Sequence, residues 1–208
     1  VAAGVYNETN TITFADWIVD WIIEWDNLTV IIERKNTGVS IIDNILKILP
    51  LKGVDPFKRL FNWVTNNYHE NKAYREEVID VPFNRRHPDV YVKYRKEFGY
   101  TTTGSGVQAR SNLYGAAFNA SIKYTSDTVR DATLIKQLNG LIKKNDRIDH
   151  KPGEHDDMVV SWLLSYWFLT KANNLSVYGL SSRTVLSTVI NAMVKEQGGY
   201  EAIQEKNR

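Results

Sequence analysis

The run Leu28–Ile32, with the residues that follow it, narrows most sharply what this chain can fold into. The run is mostly apolar and β-branched and has the length of a strand, which is the pattern of a strand buried on both faces. Glu33 stands at its carboxyl end, Arg34-Lys35-Asn36-Thr37-Gly38 makes a short loop, and Val39–Leu49 carries helical spacing. Strand, loop and helix in this order form the unit of α/β folds, whose sites lie outside the carboxyl ends of the strands. A carboxylate at the end of such a strand is costly unless something compensates it. Glu33 therefore has two readings at this level: an ion pair with Arg34 or Lys35 or plain exposure at the strand end, or a ligand in a site.

Upstream, Val1–Tyr6 reads as a strand and Asn7–Asn10 as a turn. Thr13 and Asp16 make a capping-box-like start for an amphipathic helix. Phe14, Trp17, Ile18, Trp21, Ile22 and Trp25 recur along it at helical spacing, and the three tryptophans are expected to be core. Residues 50–89 are irregular and are punctuated by Pro50, Pro56, Pro82 and Pro88. Tyr91–Phe98 reads as a short helix ended by Gly99, Tyr100–Thr103 as a strand, and Gly104-Ser105-Gly106 as a flexible link. Thr128 and Asp131 cap a helix through Leu134, Leu138 and Ile142 that ends near Lys143-Lys144-Asn145, and Arg147–His150 reads as a short strand. Pro152-Gly153 then turns the chain into an apolar helix, Asp156–Thr170. After Ala172-Asn173-Asn174 the character changes, so residues 1–174 are expected to form one domain and 175–208 a helical appendage capped at Ser181 or Ser182.

A chain of 208 residues can bury a sizeable core without staples. It has no cysteine, which excludes a thiol nucleophile, a Cys-zinc site and a disulfide framework. The net charge of +2 is too small to argue for nucleic acid by itself. No signal peptide and no apolar run of membrane-spanning length is visible, and no G-x-x-x-x-G-K-[ST] occurs, so no ATP site is expected.

A second acidic feature is Glu154-His155-Asp156-Asp157, after a Pro-Gly turn and directly before the apolar helix. Acidic residues favour helix N-termini, so capping accounts for one carboxylate. Adjacent aspartates with a histidine exceed that need. If Asp157 projects toward the end of the strand carrying Glu33, hard oxygen ligands converge as Mg²⁺ or Mn²⁺ requires. Two such ions about 3.5–4 Å apart can activate a water and stabilise the leaving oxygen of a phosphodiester.

Taken together, Glu33-Arg34-Lys35-Asn36-Thr37-Gly38 and Gly153-Glu154-His155-Asp156-Asp157-Met158-Val159 resemble two motifs of the nuclease domain of tailed-phage terminase large subunits. The first resembles the family's glutamate-bearing strand end, the second its late His-Asp-Asp motif opening a helix. The resemblance covers roughly residues 1–172. It implies an α/β, RNase H-like fold, a mixed central sheet flanked by helices, and a DNA endonuclease that cuts concatemeric viral DNA during packaging in the host cytoplasm. It implies Mg²⁺ or Mn²⁺ as cofactor, two ions in the complete site, with Glu33, Asp157 and Asp156 as ligands. Asp157 is favoured because it directly precedes the apolar helix. His155 either positions a water or phosphate, or caps the helix. Implied partners are double-stranded DNA, a packaging ATPase domain upstream, the portal and the small terminase subunit. The family's first-strand aspartate has no counterpart here, since Asp16, Asp20 and Asp26 do not lie on a strand. The chain is therefore expected to be N-terminally truncated relative to the family, with weak or absent activity by itself. Phosphate contacts are expected from Lys35, Arg85, Arg86, Arg110, Lys123, Lys143 and Lys144. Two other readings stay open: a non-catalytic DNA-binding or assembly module of the packaging motor, and another RNase H-like nuclease of the resolvase or transposase type.

Overall fold

The computed structural model describes residues 9–67, 72–102, 110–144 and 147–181. The expected strand Val1–Tyr6, the Gly104-Ser105-Gly106 link and the helix over Val185–Glu196 lie outside the described residues.

Helix α1 spans Thr11–Glu24. Its cap is Asn10, whose side chain accepts from the backbone N–H groups of Ile12 and Thr13, so the helix starts before the expected cap at Thr13. Ala15, Val19 and Ile22 form its buried stripe. The tryptophans do not. Trp21 is 44% and Trp25 61% exposed, which corrects their expected place in the core. At 3.6 residues per turn the ridge of Phe14, Trp21 and Trp25 lies roughly a quarter turn from the stripe that meets α2. Part of its apolar surface is covered from within, by ring contacts of 5.6 Å between Phe14 and Trp17 and 4.8 Å between Trp17 and Trp21.

Helix α2, Thr37–Leu51, starts two residues earlier than its periodicity suggests and buries Ile41, Ile42, Ile45, Leu46 and Leu49 along one face. Short helical pieces follow: α3 (Pro56–Arg59), α4 (Trp63–Asn66), α5 (Lys72–Tyr74) running into a wide turn over Arg75–Ile79, and α6 (Asp89–Lys93). Downstream, α7 (Arg110–Leu113) continues through a wide turn, Tyr114–Phe118, into α8 (Asn119–Thr125). Helix α9 (Ala132–Asn139) is capped by Asp131, which accepts from the Leu134 N–H at 2.8 Å. It stops short of its expected end near Lys143. Residues 141–144 instead form β1 (Leu141–Lys144), paired antiparallel with β2 (Arg147–His150), and strand pairing takes the backbone groups a longer helix would have used. The last long helix is α10, Asp157–Lys171.

The chain is thus a mixed α/β structure, mostly helical, with one small antiparallel sheet among the described residues. Three extended segments, 28–34, 59–62 and 98–102, are joined by isolated bridges: parallel at Val30–Leu60 and Glu33–Tyr100, antiparallel at Asn62–Phe98. They lie between two cores. Leu28, Val30 and Ile32 pack on the core built by α1 and α2, whereas Ile31 packs on the core built by α7 to α10. That is the two-residue alternation of an extended segment, here partly buried on both sides. Phe98 and Tyr100 have the same parity yet face opposite cores. Gly99 between them adopts φ +84, and a Cβ there would stand 2.7 Å from Ile42 Cδ1 and 2.8 Å from the Ile32 carbonyl. Only glycine fits this reversal.

Leu175 and Tyr178 are buried in the second core, and the Tyr178 hydroxyl accepts from the Asn62 N–H at 3.2 Å. The residues just past Asn174 are therefore packed into the same body. No helix among the described residues is long and apolar enough to cross a membrane.

Candidate functional site

Glu33 sits where two extended segments meet. The Tyr100 N–H donates to the Ile32 carbonyl at 2.8 Å, and the Arg34 N–H donates to the Tyr100 carbonyl at 2.7 Å, which fixes the backbone on both sides of it. From below, Gly38 presses α2 against the same point: a Cβ there would lie 2.0 Å from the Glu33 carbonyl oxygen. The Glu33 carboxylate accepts a hydrogen bond from the hydroxyl of Thr102, a buried residue. The Thr102 carbonyl in turn accepts from the Arg110 N–H at 3.0 Å. Thr102 thus links Glu33 to the start of α7.

Arg110 turns its guanidinium to Asp156, with which it forms an ion pair, and stands 3.6 Å from the carboxylate of Asp149 on β2. Its charge also lies over the Tyr114 ring, 5.5 Å from the centroid. The Tyr114 hydroxyl donates to Asp156 Oδ2 at 2.8 Å. Asp156 is therefore held by two donors, and it is 4% exposed. It occupies the N-cap position of α10 without capping it. An orphan N–H of that first turn, Met158 N, is satisfied from α9 instead, by Gln137 Oε1 at 2.9 Å. This leaves the Asp156 carboxylate for Arg110 and Tyr114. A buried carboxylate requires such a partner, and a guanidinium is a suitable one.

The electrostatics agree with the contacts. Burial is the main cause that pushes the Tyr114 phenol up to about 12; Arg110 opposes the rise, and the charges of Asp149 and Glu33 add to it. The Asp149 carboxyl lies below its usual range, first because the His150 N–H donates to it, with Arg110 adding to the effect. Asp149 and Asp156 thus share one guanidinium, and Glu33 is tied to the start of α7 through Thr102.

The late acidic motif divides at this centre. The Asp157 side chain is 83% exposed and that of His155 is 82% exposed; they lie 3.9 Å from each other and away from the cluster. Asp156, which the resemblance ranked second, is the aspartate brought inside. One residue along a helix start turns the side chain by about 100°, and here that separates a buried carboxylate from a solvated one. Asp149, Tyr114 and Thr102 were not singled out from sequence. Alternation in Arg147–His150, with apolar Ile148 beside Asp149, was the available signal for Asp149; nothing local marks Tyr114 or Thr102.

Asp149 and Asp156 are oxygen donors of the type a hard cation takes. As they stand, however, no three His, Asp or Glu side chains among the described residues are grouped so as to hold a metal ion. The guanidinium holds the inner carboxylate in place of one.

The expected phosphate contacts scatter. Lys35 is exposed beside Glu33, and Arg85 is exposed in a single turn over Phe83–Arg85. Lys123 on α8 is exposed, with its ammonium 5.2 Å from the Tyr124 ring centroid. Lys143 and Lys144 lie on β1. Arg86 is committed elsewhere, pairing with Asp55 at 2.7 Å and donating to the Val81 carbonyl at 3.0 Å.

No family model, no curated protein and no solved structure matches the chain.

Proposed function

We propose that the chain is an RNase H-like, Mg²⁺- or Mn²⁺-dependent DNA endonuclease module of the kind found in the large subunit of phage packaging terminases. The observation that supports this reading is the link from Glu33, at a strand end, through Thr102 to Arg110, which pairs with Asp156 at a helix start. Two motifs far apart in sequence are thereby tied to one another at the carboxyl end of an extended segment, which is where α/β folds place their chemistry.

In this reading Glu33 and Asp156 supply hard oxygen ligands, and Asp149, 3.6 Å from Arg110, is a further candidate. A bound divalent ion would supply Lewis acidity toward a phosphodiester and lower the pKa of a water. Thr102 orients Glu33 and Tyr114 orients Asp156, while Lys35 offers a phosphate a charge beside the site. Duplex DNA, an upstream ATPase domain, the portal and the small terminase subunit belong to the same proposal.

Plasmid cutting in Mn²⁺ tests it. Glu33→Gln and Asp156→Asn are expected to abolish cutting, and Asp157→Asn to leave most of it. Cutting that survives both of the first two substitutions sinks the reading. A second reading, a DNA-binding or assembly module without catalysis, is favoured by the Arg110–Asp156 ion pair, which already neutralises the inner carboxylate. Duplex binding with no cutting in either metal supports that alternative.

A further inference from the structure

The outer surface of α1 carries two rows of side chains that the fold does not use. Trp17, Trp21 and Trp25 repeat every four residues, and Asp16, Asp20 and Glu24 do the same one residue earlier. An offset of one residue is about 100° around a helix, so the two rows run side by side. Trp21, Trp25 and the three acidic residues are exposed, and Trp17 is half-buried. The stripe that packs into the first core is a different one, Ala15, Val19 and Ile22. Nor does the acidic row stabilise its own helix. Like charges four residues apart work against a helix, and Glu24 is the last residue of α1, at the end where the helix dipole favours a cation. Thr11–Glu24 contains no Lys, Arg or His. No ion pair joins Asp16, Asp20 or Glu24 to another described residue. Arg59, at the end of the helix, instead donates to the carbonyls of Ile22, Trp25 and Leu28.

An aromatic ridge bordered by carboxylates discriminates among occupants. Nucleic acid and anionic lipid both present phosphate, which the acidic row repels. A second copy of α1 brings the same carboxylates and no cation. A segment that is apolar on one side, with Arg or Lys beside that side, complements both rows. Its apolar side chains cover the indoles, and its cations pair with the carboxylates or lie over the indole faces. Tryptophan and arginine are also the residues enriched where a few contacts dominate binding. We propose that the outer face of α1 docks a basic amphipathic helix of a partner protein, through Trp21 and Trp25 for the apolar side and Asp16, Asp20 and Glu24 for the cations. A helix laid along α1 offers side chains at the same spacing as the two rows. The 14 residues of α1 extend about 21 Å, so four turns of partner helix match it. The docking face stands apart from the nuclease reading, since it uses neither Glu33 nor Asp156.

The probe is a synthetic, tryptophan-free helical peptide of about 14 residues, with a leucine stripe bordered by arginines. It is titrated into the full chain by calorimetry at low and at high salt. A control peptide carries glutamate in place of arginine. The arginine peptide is expected to bind at least roughly ten-fold more tightly than the control, and added salt is expected to weaken it. Trp21→Ser combined with Trp25→Ser is expected to weaken binding roughly ten-fold. Asp16→Asn, Asp20→Asn and Glu24→Gln together are expected to weaken it by about the same factor and to remove its salt dependence. If the double tryptophan variant fails to fold, Trp25→Ser alone, at the more exposed of the two rings, decides by a smaller loss in the same direction. Equal binding of the two peptides, binding undiminished in the variants, or no binding of the arginine peptide overturns the proposal. A dimer seen in sedimentation and lost in Trp25→Ser also overturns it, in favour of a second copy. So does adsorption to phosphatidylcholine vesicles that is lost in Trp25→Ser while the arginine peptide does not bind.

Discussion

The Arg86 guanidinium meets the Asp55 carboxylate at 2.7 Å, with both side chains below one-tenth exposure. Asp55 also accepts from the Phe57 N–H at 3.1 Å, capping α3, and the Arg86 charge lies 5.9 Å from the Phe57 ring centroid. The pair fastens an otherwise irregular stretch to the first core. Breaking it from one side leaves an uncompensated buried charge. Asp55→Ala is expected to destabilise the fold by about 3–5 kcal/mol. Replacing both residues with apolar ones of similar volume is expected to cost far less. Urea denaturation of the two variants checks this, and equal losses would mean that the ion pair is not what holds the segment.

The exposed aromatic ridge of α1 separates two kinds of apolar residue on one helix. Trp25 is 61% exposed and Ile22 is fully buried. Trp25→Ser is expected to change stability by less than about 0.5 kcal/mol. Ile22→Ala is expected to cost about 2–5 kcal/mol, since it leaves a cavity between α1 and α2. A large loss from the tryptophan substitution would place that ring in a core after all.

Gly38 is the contact through which α2 supports Glu33. An added methyl would overlap the Glu33 carbonyl, with its Cβ only 2.0 Å from the oxygen and no flexible side-chain end to give way. Gly38→Ala is expected to cost about 1–3 kcal/mol, as overpacking does. It is also expected to lower plasmid cutting more than its stability loss alone explains, because the displaced atoms belong to a site residue. Cutting that tracks the folded fraction would remove Gly38 from the site's support.

Buried phenols set a limit at alkaline pH, and burial raises Tyr74 and Tyr178 as well as Tyr100 and Tyr114. Burial pushes Tyr100 and Tyr114 up to about 12 from an ordinary value of 10.0. The folded state therefore keeps protons that the unfolded chain loses, and stability must fall as pH rises from 10 toward about 12. Tyr100→Phe and Tyr114→Phe are each expected to flatten that fall. Urea midpoints across this range, with phenolate absorbance followed in parallel, test it. A fall of the same steepness in both variants would assign it to other groups.

Much of the local structure was legible in the residues. The spacing of Ile41, Ile42, Ile45, Leu46 and Leu49 gives α2 its buried face, Asp131 caps α9, and the apolar run before Glu33 is an extended segment packed on both sides, though only partly buried. Each depends on neighbours within a turn or on a fixed alternation. The aromatic ridge was misjudged for a related reason: periodicity shows that Trp17, Trp21 and Trp25 share a face, but not which face α2 covers. The acidic centre was half legible. Two motifs pointed to Glu33 and to a late aspartate pair. Neither could rank Asp156 above Asp157, reveal Asp149 or seat Arg110, because those outcomes depend on how α7, β2 and α10 meet.

The sequence by itself determined the long helices α1, α2 and α10, the extended run before Glu33, and which short motifs carried carboxylates at their ends. The tertiary structure decided which of those carboxylates are buried, which cation answers each, and which apolar face meets solvent. Helix periodicity and capping act over a few residues, so they can be read along the chain. The partner of a buried charge is chosen by desolvation, which exists only once distant segments close over it: Asp55 waits for Arg86, and Asp156 for Arg110 and Tyr114.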